Sequence, residues 1–520
     1  MGYTVALAYP SEERVALSSL AYFIITGMLE EMGLGVRRYY LENREIKISE
    51  RYRGSPKSNT AILVSLPYEL MYGDMVRMLD LMGIPVFRSS RGDQDPIIIA
   101  GGPSVTANPL PVFDIVDAIL IGEFEPIAES LDYALSKPTR ASRLRALSEI
   151  EGFLVPGYTE GLVRRVYVED LDNVWYPIRQ EMPENIEPVW GRAFLLETTR
   201  GCARGCRFCM EGFILKPRRD KSFPKLKELL DEGVAVNRVS KVSFYSLIFF
   251  DNPAADKILE YSVSKGLEVS VPSLRVETLN PKRAELIAMG KQRTITIAPE
   301  TGSCVVAKAI LKPIGKIRTL EAVHYALEAG IRNIKLYLMT GFPGETWDDV
   351  RDTIDLSIDI AKTVRSRGGV VKATLNPLMP KPSTPLQWLG LEGASEVESK
   401  LEYISRELRK NNIEVSTFNI DWAILEVAIA RGGIETGRVI VEWARRGGGF
   451  KSFMKSAETI GVDISLNLRT WSIDYTPPWH EYIEHPYDSI RDLRREYELY
   501  SSIMASRGRN IRLNIPGCVE

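Results

Sequence analysis

The sequence predicts an α/β protein with two parallel sheets, followed by a mostly helical C-terminal region. Two observations carry this prediction. Along the 520 residues, short continuous apolar runs end in turn residues and alternate with helical segments, in two separate blocks. Such runs are typical of parallel strands that are buried on both faces. After Trp388 these runs give way to patterns that are mostly helical.

The first block, residues 1–136, predicts a doubly wound, Rossmann-like domain. Strands are expected at YTVALAYP, GVRRYYLE, AILVSL, PIIIAGG and DAILIGE, with a further short segment GIPVFR. Doubly wound sheets bind ligands at the carboxyl ends of their strands. The candidate binding residues in those loops are Tyr68, Gly101, Gly102, Pro103, Ser104, Gly122 and Glu123. Residues 137–190 show a weaker pattern, which we interpret as a linker and connecting hairpin region.

The second block, residues 191–388, predicts a partial barrel of the (βα)6 TIM type. Strands are expected at AFLLETT, KVSFYSL, LEVSVPS, TITIAPE, NIKLYLM and VVKATLNP, and a helical segment follows each of the first five. A complete eight-stranded barrel needs two more such units. Residues 389–520 are interpreted as a mostly helical accessory domain.

The charge balance gives little support for a nucleic-acid or membrane partner. Lys and Arg number 66 against 68 Asp and Glu, a formal net charge of -2, and residues 216–219 form the best candidate for a local basic patch. No apolar run approaches the roughly 20 residues that span a bilayer. The N-terminal residues also lack the pattern of a signal peptide, so we expect a cytoplasmic protein.

Three cysteines mark the candidate chemistry. The loop after the first barrel strand reads ETTRGCARGCRFCMEGF, which spaces Cys202, Cys206 and Cys209 as C-x3-C-x2-C. Thiolates are the usual ligands of iron–sulfur clusters, and three protein ligands leave one iron of a four-iron cubane open for reaction. A three-cysteine zinc site and three buried free thiols are the alternatives. No histidine or further cysteine lies nearby to complete a zinc tetrahedron.

This spacing, at the end of a first barrel strand, resembles the radical S-adenosylmethionine (SAM) superfamily. The resemblance implies a [4Fe–4S] cluster on the three cysteines, whose open iron chelates SAM and cleaves it to a 5′-deoxyadenosyl radical. It also implies an electron donor such as ferredoxin or flavodoxin. Phe208, directly before the last cysteine, fits the pattern of the superfamily.

The resemblance extends to the ends of later barrel strands. The second strand ends at Phe244-Tyr245-Ser246-Leu247, which departs from the usual Gly-Gly-Glu-like turn. The third brings Ser273 and Arg275 to the mouth, where Arg275 is expected to pair with the SAM carboxylate or to lie on the surface. The fourth ends in a turn similar to Pro-Glu-x-Gly-Ser, whose Glu300 is expected beside the SAM ribose. The Gly341–Glu345 turn resembles a Gly-x-Pro-Gly-Glu-Thr signature. The residues that the resemblance implies as cofactor contacts in this barrel are Phe208, Tyr245, Ser273, Arg275, Glu300, Gly341 and Glu345.

The segments PIIIAGGPSVTANP and DAILIGEFE resemble the cobalamin-binding domains that precede many radical SAM barrels. The two glycines at 101 and 102 are expected to let a corrin ring approach the backbone. Because no histidine precedes position 324, cobalamin would bind there without an imidazole from this domain.

Three hypotheses remain at this point. The first is a cobalamin-dependent radical SAM methyltransferase acting on an unidentified substrate. The second is a radical SAM enzyme whose N-terminal domain has lost cobalamin and serves as a substrate-binding scaffold. The third is a non-catalytic iron–sulfur or RNA-binding protein.

Overall fold

The apolar runs of the first block form a seven-stranded sheet. The structure is a computed structural model that describes residues 3–48, 54–391 and 393–507. The strands are β1 (Val5–Tyr9), β2 (Val36–Glu42), β3 (Glu45–Ile48), β4 (Ala61–Ser65), β5 (Ile97–Gly101), β6 (Ala118–Leu120) and β7 (Phe153–Leu154). Their order is β3-β2-β1-β4-β5-β6-β7. The five central strands are parallel and the two edge strands antiparallel, which confirms the doubly wound prediction.

The second block forms the expected series of parallel strands. A short strand β8 (Val163–Arg164) precedes it, and its strands are β9 (Phe194–Glu197), β10 (Thr199–Arg200), β11 (Arg219–Asp220), β12 (Lys241–Tyr245), β13 (Glu268–Ser270), β14 (Thr294–Glu300), β15 (Asn333–Thr340), β16 (Val370–Pro377) and β17 (Glu414–Thr417). One sheet has the order β13-β12-β9 and the other β14-β15-β16-β17. A parallel bridge between Leu274 and Ile297 joins them. The six predicted strands therefore follow one another as in a partial barrel, and β17 adds a seventh that the sequence did not predict.

Helices connect these strands. They are α1 (Glu13–Ala16), α2 (Leu20–Glu31), α3 (Met71–Leu81), α4 (Pro103–Ala107), α5 (Ala128–Leu135), α6 (Arg140–Ser148), α7 (Glu211–Ile214), α8 (Phe223–Asn237), α9 (Ala255–Ser264), α10 (Pro281–Met289), α11 (Cys304–Ala309), α12 (Lys316–Glu328), α13 (Trp347–Arg365), α14 (Ala394–Lys410), α15 (Ile420–Ala430), α16 (Ile434–Arg445), α17 (Phe450–Ile460), α18 (Ser465–Leu468) and α19 (Ile490–Ser506). None of the helices in the described ranges is long and apolar enough to cross a membrane.

Local sequence sets several helix boundaries. The Ser222 side chain accepts a hydrogen bond from the Lys225 backbone N–H and so caps α8, which ends at Arg238 in a left-handed conformation. Thr346 caps α13 in the same way and forms a reciprocal capping box with Asp349. Caps of this kind satisfy backbone donors that a helix end otherwise leaves unpaired.

The chain divides into two compact units that are not continuous in sequence. Unit 1 contains residues 1–192, 381–383 and 425–490, and unit 2 contains residues 193–380, 384–424 and 491–520. Residues 137–190, predicted as a linker, therefore belong to unit 1. The predicted accessory domain at 389–520 is divided between the units.

The core of unit 1 joins the N-terminal sheet to residues from the C-terminal region. Ile62 and Ile98 from the sheet and Met75 from α3 belong to one buried cluster with Ile440 and Trp443 from α16. Burial of this apolar surface is the main force holding the unit together.

Two smaller expectations for unit 1 are corrected. GIPVFR forms no strand, because the guanidinium of Arg91 donates to the carbonyl oxygens of Pro85 and Val86, which a strand neighbour would otherwise occupy. Strand β8 forms no local hairpin either. It pairs in parallel with Ile483–Glu484.

Candidate active site

The cysteine loop of unit 2 is closed at its base by a two-stranded ladder. Strands β10 and β11 pair antiparallel, with Thr199 opposite Asp220 and Arg200 opposite Arg219. The Thr199 hydroxyl donates to the Asp220 carboxylate at 2.8 Å. Residues 201–218 therefore form a tied loop at the carboxyl end of the first barrel strand, the edge on which barrel enzymes carry their chemistry.

Gly201 allows this loop to fold onto itself. Its φ is +81°, and a Cβ built there would lie 2.3 Å from the Leu215 carbonyl oxygen and 2.5 Å from that of Pro217. A side chain would clash with both backbone oxygens, so the loop requires glycine at this position. The sequence pattern alone does not predict this close approach of Gly201 to Leu215 and Pro217.

The three cysteines lie on this loop in a largely buried setting. Cys206 is buried, and Cys202 and Cys209 are partly buried. The Arg204 backbone N–H donates to Cys202 Sγ, and the Arg275 Nη1 donates to Cys206 Sγ, both at 3.4 Å. These donors favour sulfur in its thiolate form.

Burial favours the protonated form of the cysteine thiols in this loop. Burial raises the pKa of the Cys209 thiol to about 12, and the carboxylate of Glu211 and the thiol of Cys206 act in the same direction. Burial also raises the pKa of Cys202. Iron bound to the sulfurs supplies the positive charge that keeps them deprotonated, so the donor set fits an iron–sulfur cluster.

The zinc alternative finds no geometric support. Within the described ranges, no three His, Cys, Asp or Glu side chains are grouped so that they could hold one metal ion. A cubane cluster needs no such grouping, because each thiolate binds a different iron.

The arginines of the loop are paired with carboxylates. Arg200 binds Glu197 at 2.8 and 3.0 Å, Arg204 binds Asp251 through two contacts of 2.6 Å, and Arg207 binds Glu496 at 2.9 Å. Their charges are thus largely neutralised by protein.

Glu197 is a buried acid that sequence reasoning missed. It ends β9, and burial alone would raise its pKa, but Arg200 and then Lys221 lower that pKa below its ordinary value. The Lys221 side chain is fully buried, with its Nζ 4.0 Å from the Glu197 carboxylate. This charged group fixes the strand to the base of the cysteine loop. Its only sequence signal was a charged residue at the end of an apolar strand.

The strand-end residues predicted from the resemblance occupy the same edge of unit 2. Tyr245 ends β12 and is half-buried, Ser273 is exposed, and Arg275 follows β13. Phe208 is half-buried and packs against a second apolar cluster that includes Phe342. The structure places these residues at the predicted edge.

Glu300 lies at the end of β14 in an unusual backbone conformation. Its φ is +67°, and the pairing register with β15 shifts between Ile297 and Glu300. The buried carboxylate accepts a hydrogen bond from Lys312 Nζ at 2.7 Å. Left-handed backbone at a non-glycine residue is uncommon and is found preferentially at functional sites. This geometry agrees with a functional role for Glu300, and Lys312 is a partner that the sequence did not reveal.

The Gly341–Glu345 turn is held by its own acid. Glu345 Oε2 accepts from the Thr340 hydroxyl and from the Gly341 backbone N–H, each at 2.8 Å. Lys400 Nζ donates to the Glu345 carbonyl oxygen at 2.9 Å. The Glu345 side chain therefore shapes the turn, and what it presents to a ligand is mainly backbone.

In unit 1, the side chains expected to bind a cofactor form bonds within the protein. The Tyr68 hydroxyl donates to the Glu426 carboxylate. Ser104 donates to the Leu66 carbonyl oxygen at 2.6 Å, and Glu123 accepts from the Val168 backbone N–H at 2.9 Å. At the carboxyl edge of the sheet, these polar groups already have hydrogen-bond partners within the protein.

Two of the glycines at this edge are required by the fold itself. Gly102 has φ +128°, and a Cβ there would lie 2.5 Å from the Leu66 carbonyl oxygen. A Cβ at Gly122 would lie 2.1 Å from the Val166 carbonyl oxygen. At Gly101, by contrast, a Cβ would make only an ordinary contact with Leu120. The backbone of Gly101, Gly102, Pro103 and Gly122 remains partly exposed.

A buried ionic network lies beside these loops. Lys381 Nζ donates to Glu69 at 2.8 Å and to Glu426 at 2.6 Å. Burial opposes the charge on Lys381, but the two carboxylates raise its pKa above the ordinary value. Glu69 Oε1 is buried without a hydrogen-bond partner among the described residues. His485, from the C-terminal region, also belongs to this unit, and its Nε2 lies 3.1 Å from the Ser383 hydroxyl.

Comparison with known proteins identifies the family. Residues 196–357 match the family model described as the radical SAM superfamily, and residues 40–156 match the model of radical SAM proteins, N-terminal. The uncharacterized protein MJ0966 of Methanocaldococcus jannaschii is 31% identical over 430 residues, which cover 82% of this chain and 88% of that protein. The chain belongs to the radical SAM superfamily.

Solved structures share the fold of this radical SAM protein. TsrM from Kitasatospora setae, a radical SAM methyltransferase with cobalamin and a [4Fe-4S] cluster bound, has a TM-score of 0.57 at 15% identity, covering 88% of this chain and 100% of that one. OxsB, a cobalamin-dependent SAM radical enzyme with aqua-cobalamin bound, has a TM-score of 0.51 at 13% identity, covering 97% of this chain and 80% of that one. Both carry the same fold at low identity.

Membership in the radical SAM superfamily implies SAM and a [4Fe–4S] cluster as cofactors. The tied loop, the buried cysteines and the two donors to sulfur are the features of this chain that fit the cluster. The non-catalytic hypothesis finds no support in these features.

Proposed function

We propose that this radical SAM enzyme cleaves SAM reductively to a 5′-deoxyadenosyl radical and that unit 1 carries cobalamin as a methyl carrier for an unidentified substrate. The observation that carries the proposal is the tied cysteine loop at the carboxyl end of β9, with Arg275 donating to the sulfur of Cys206. Reduced ferredoxin or flavodoxin would supply the electron.

Each part of the chain would contribute a distinct task. Cys202, Cys206 and Cys209 would hold the cluster, which supplies one-electron cleavage of the sulfonium when SAM is bound. Glu300 would accept hydrogen bonds from ribose hydroxyls. The Gly341–Glu345 turn, fixed by its own carboxylate, would present backbone to the adenine.

Cobalamin is supported by the backbone and by one orphaned acceptor. The partly exposed backbone of residues 101–103 allows a flat ligand to lie on the carboxyl edge of the sheet. The amide groups around a corrin are hydrogen-bond donors, and Glu69 Oε1 is an acceptor that has no hydrogen-bond partner among the described residues.

One observation favours the alternative of a scaffold that lacks cobalamin. The side chains of Tyr68, Ser104 and Glu123 already form hydrogen bonds within the protein. A domain that has lost its cofactor would show such internal pairing.

Metal analysis tests both parts. We would purify the protein anaerobically, reconstitute it with iron and sulfide, supply hydroxocobalamin, and measure iron and cobalt per chain. We expect about four iron atoms, as in one cubane cluster, and their loss in Cys206→Ala. Ala203→Ser, at an exposed position of the same loop, is the control and should keep its iron.

The cobalt content per chain distinguishes the two hypotheses for unit 1. About one cobalt per chain, together with transfer of a labelled methyl group from SAM to the bound corrin, supports the methyl-carrier proposal. Iron without cobalt supports the scaffold alternative. Absence of iron in the unmodified protein after reconstitution would overturn the whole assignment.

A further inference from the structure

Arg275 is held in a defined position beside the cysteine loop. The backbone N–H of the preceding residue, Leu274, donates to the Thr296 carbonyl oxygen at 2.8 Å. The Arg275 carbonyl oxygen accepts from the Thr278 hydroxyl at 2.7 Å. Both hydrogen bonds lie in the segment that joins the two sheets of unit 2, so they fix the backbone from which the Arg275 side chain extends.

The guanidinium of Arg275 has two partners of different kinds. Its Nε donates to Glu277 Oε1 at 2.6 Å, and its Nη1 donates to Cys206 Sγ at 3.4 Å. The side chain is 13% exposed. A planar guanidinium can serve a carboxylate on one edge and a sulfur on the other, which a single ammonium group cannot do in the same geometry.

The other arginines near the cysteines are committed elsewhere. Arg200, Arg204 and Arg207 each bind a carboxylate through their guanidinium groups. In the part of the chain that the structure describes, Arg275 is the charged side chain that donates a hydrogen bond to a cysteine sulfur of this loop. The cluster ligand Cys206 thus receives a cationic hydrogen bond that its neighbours do not provide.

A hydrogen bond to a ligating sulfur changes the redox properties of an iron–sulfur cluster. Donation withdraws electron density from the thiolate and stabilises the more negative, reduced cluster, which raises its reduction potential. The effect is strong here because Cys206 is buried and water screens the interaction little.

We propose that Arg275 is a positioning residue that sets the reduction potential of the cluster through its hydrogen bond to Cys206, with Glu277 orienting the guanidinium. This role replaces the expected pairing of Arg275 with the SAM carboxylate. The inference rests on the cluster part of the proposed function and is independent of cobalamin.

The midpoint potential of the reconstituted cluster tests the proposal. It is measured without SAM, by redox titration followed by electron paramagnetic resonance, so that SAM binding does not contribute. For Arg275→Gln we expect the one-electron reduction equilibrium to shift at least tenfold toward the oxidised cluster, a fall of 59 mV or more. Arg275→Lys keeps the charge but loses the two-sided contact, and we expect a smaller fall.

Arg204→Gln is the matched control. It removes a positive charge from the cysteine loop itself; its guanidinium binds Asp251, lies 3.9 Å from Glu277, and has no hydrogen bond to sulfur among the described residues. We expect a smaller shift than for Arg275→Gln. Equal shifts in the two variants would mean that only net charge matters, and the proposal would be wrong.

Other outcomes are equally decisive. An unchanged potential in Arg275→Gln at full iron content would overturn the proposal, and loss of SAM affinity alone would restore the carboxylate role. If Arg275→Gln fails to bind iron, Arg275→Lys carries the test, and an unchanged potential there overturns it. None of these results affects the cluster assignment, which depends on the iron content of the unmodified protein and of Cys206→Ala.

Discussion

At the scale of single residues, Glu345 shows how a buried acid can stabilise a turn at the carboxyl end of a strand. Its Oε2 accepts two hydrogen bonds within the turn, and Lys400 lies 3.6 Å away. Burial raises the pKa of Glu345, while the donors of Thr340 and Gly341 and the charge of Lys400 oppose that change. The carboxylate is therefore tied closely to the integrity of this turn.

Replacing Glu345 by alanine should destabilise the protein by about 2–4 kcal/mol. The substitution leaves a buried hydroxyl and a buried N–H without their acceptor, and each such loss costs about 1–3 kcal/mol. Glu396→Ala is the control, because Glu396 binds the same Lys400 from an exposed position and should cost less than about 1 kcal/mol. Urea unfolding of the cluster-free protein measures both. Equal costs would show that the turn does not depend on Glu345.

His485 predicts a dependence of stability on pH. Burial, and then the positive charge of Arg165, lower the pKa of His485 to about 3, and its Nδ1 has no hydrogen-bond partner among the described residues. Because its pKa in the unfolded chain is near 6.5, the unfolded state binds an extra proton below that value. Stability is therefore complete above pH 6.5 and decreases as the pH falls from 6.5 toward 3.

The expected loss attributable to His485 between pH 7.5 and 5.5 is about 1 kcal/mol. In His485→Gln this part of the pH dependence should disappear, as measured by urea unfolding of the cluster-free protein at the two values. His324→Gln, at an exposed position, should leave the dependence unchanged. If His485→Gln retains the full pH dependence, the imidazole is not held neutral by burial.

The local sequence predicted the cysteine site but not the ion pairs that surround it. The spacing of Cys202, Cys206 and Cys209 is a local signal, and it points directly to cluster chemistry. The partner of Arg207 is Glu496, almost 300 positions away, and no local pattern indicates it. The sequence therefore does not predict which carboxylate pairs with Arg207.

At the scale of elements, the carboxyl ends of β4 and β5 are joined through Gly102. Gly101 and Gly102 are both expected to let a corrin ring approach the backbone. Within the protein, Gly102 approaches the Leu66 carbonyl oxygen closely, whereas Gly101 has ordinary space around it. The two neighbouring glycines therefore serve different purposes.

We expect Gly102→Ala to cost roughly 2 kcal/mol or more and Gly101→Ala less than about 1 kcal/mol. A positive φ at a non-glycine residue costs about 1–3 kcal/mol, and at Gly102 a clash with backbone oxygen adds to it. Thermal unfolding of the two variants checks this difference. Similar costs in both would contradict the geometry. If Gly101→Ala lowers the cobalt content without a change in stability, a ligand approaches the backbone there.

The central strands of the N-terminal sheet were found because apolar runs such as residues 97–100 are buried throughout. Strands β14, β15 and β16 were found although burial alternates along them. Strand β17 was missed because only Val415 of its four residues is buried. GIPVFR misled in the opposite direction: Ile84 and Val86 are buried, but Arg91 occupies the backbone carbonyl oxygens.

At the scale of the whole molecule, the chain visits each unit more than once. The order of the predicted elements revealed both sheets, because each strand and helix is encoded locally. It did not reveal that residues 425–490 complete the core of unit 1, because an apolar helix face does not specify its partner. Each of the two compact units is therefore assembled from more than one stretch of sequence.

The contact between Gly73 and Trp443 tests this interleaving. Gly73 lies in α3 and Trp443 in α16, and a Cβ at Gly73 would lie 2.5 Å from the indole ring. Trp443 is buried, and its Nε1 donates to the Gly449 carbonyl oxygen at 3.0 Å. If residues 425–490 unfold together with the N-terminal sheet, substitutions at these two positions will not act independently.

We expect Gly73→Ala to destabilise the protein by about 1 kcal/mol, since overpacking costs about 1–3 kcal/mol and the gain in helix propensity returns about 1 kcal/mol. Trp443→Phe shortens the ring and relieves the clash, so the double variant should be more stable than the sum of the two single changes by about 1 kcal/mol. Trp471→Phe, in the same region but packed against Tyr475 and Trp479, should combine additively with Gly73→Ala. Urea unfolding of the three single and the two double variants measures the coupling. Additivity for Trp443 as well would show that residues 425–490 are not part of one cooperative unit with the N-terminal sheet.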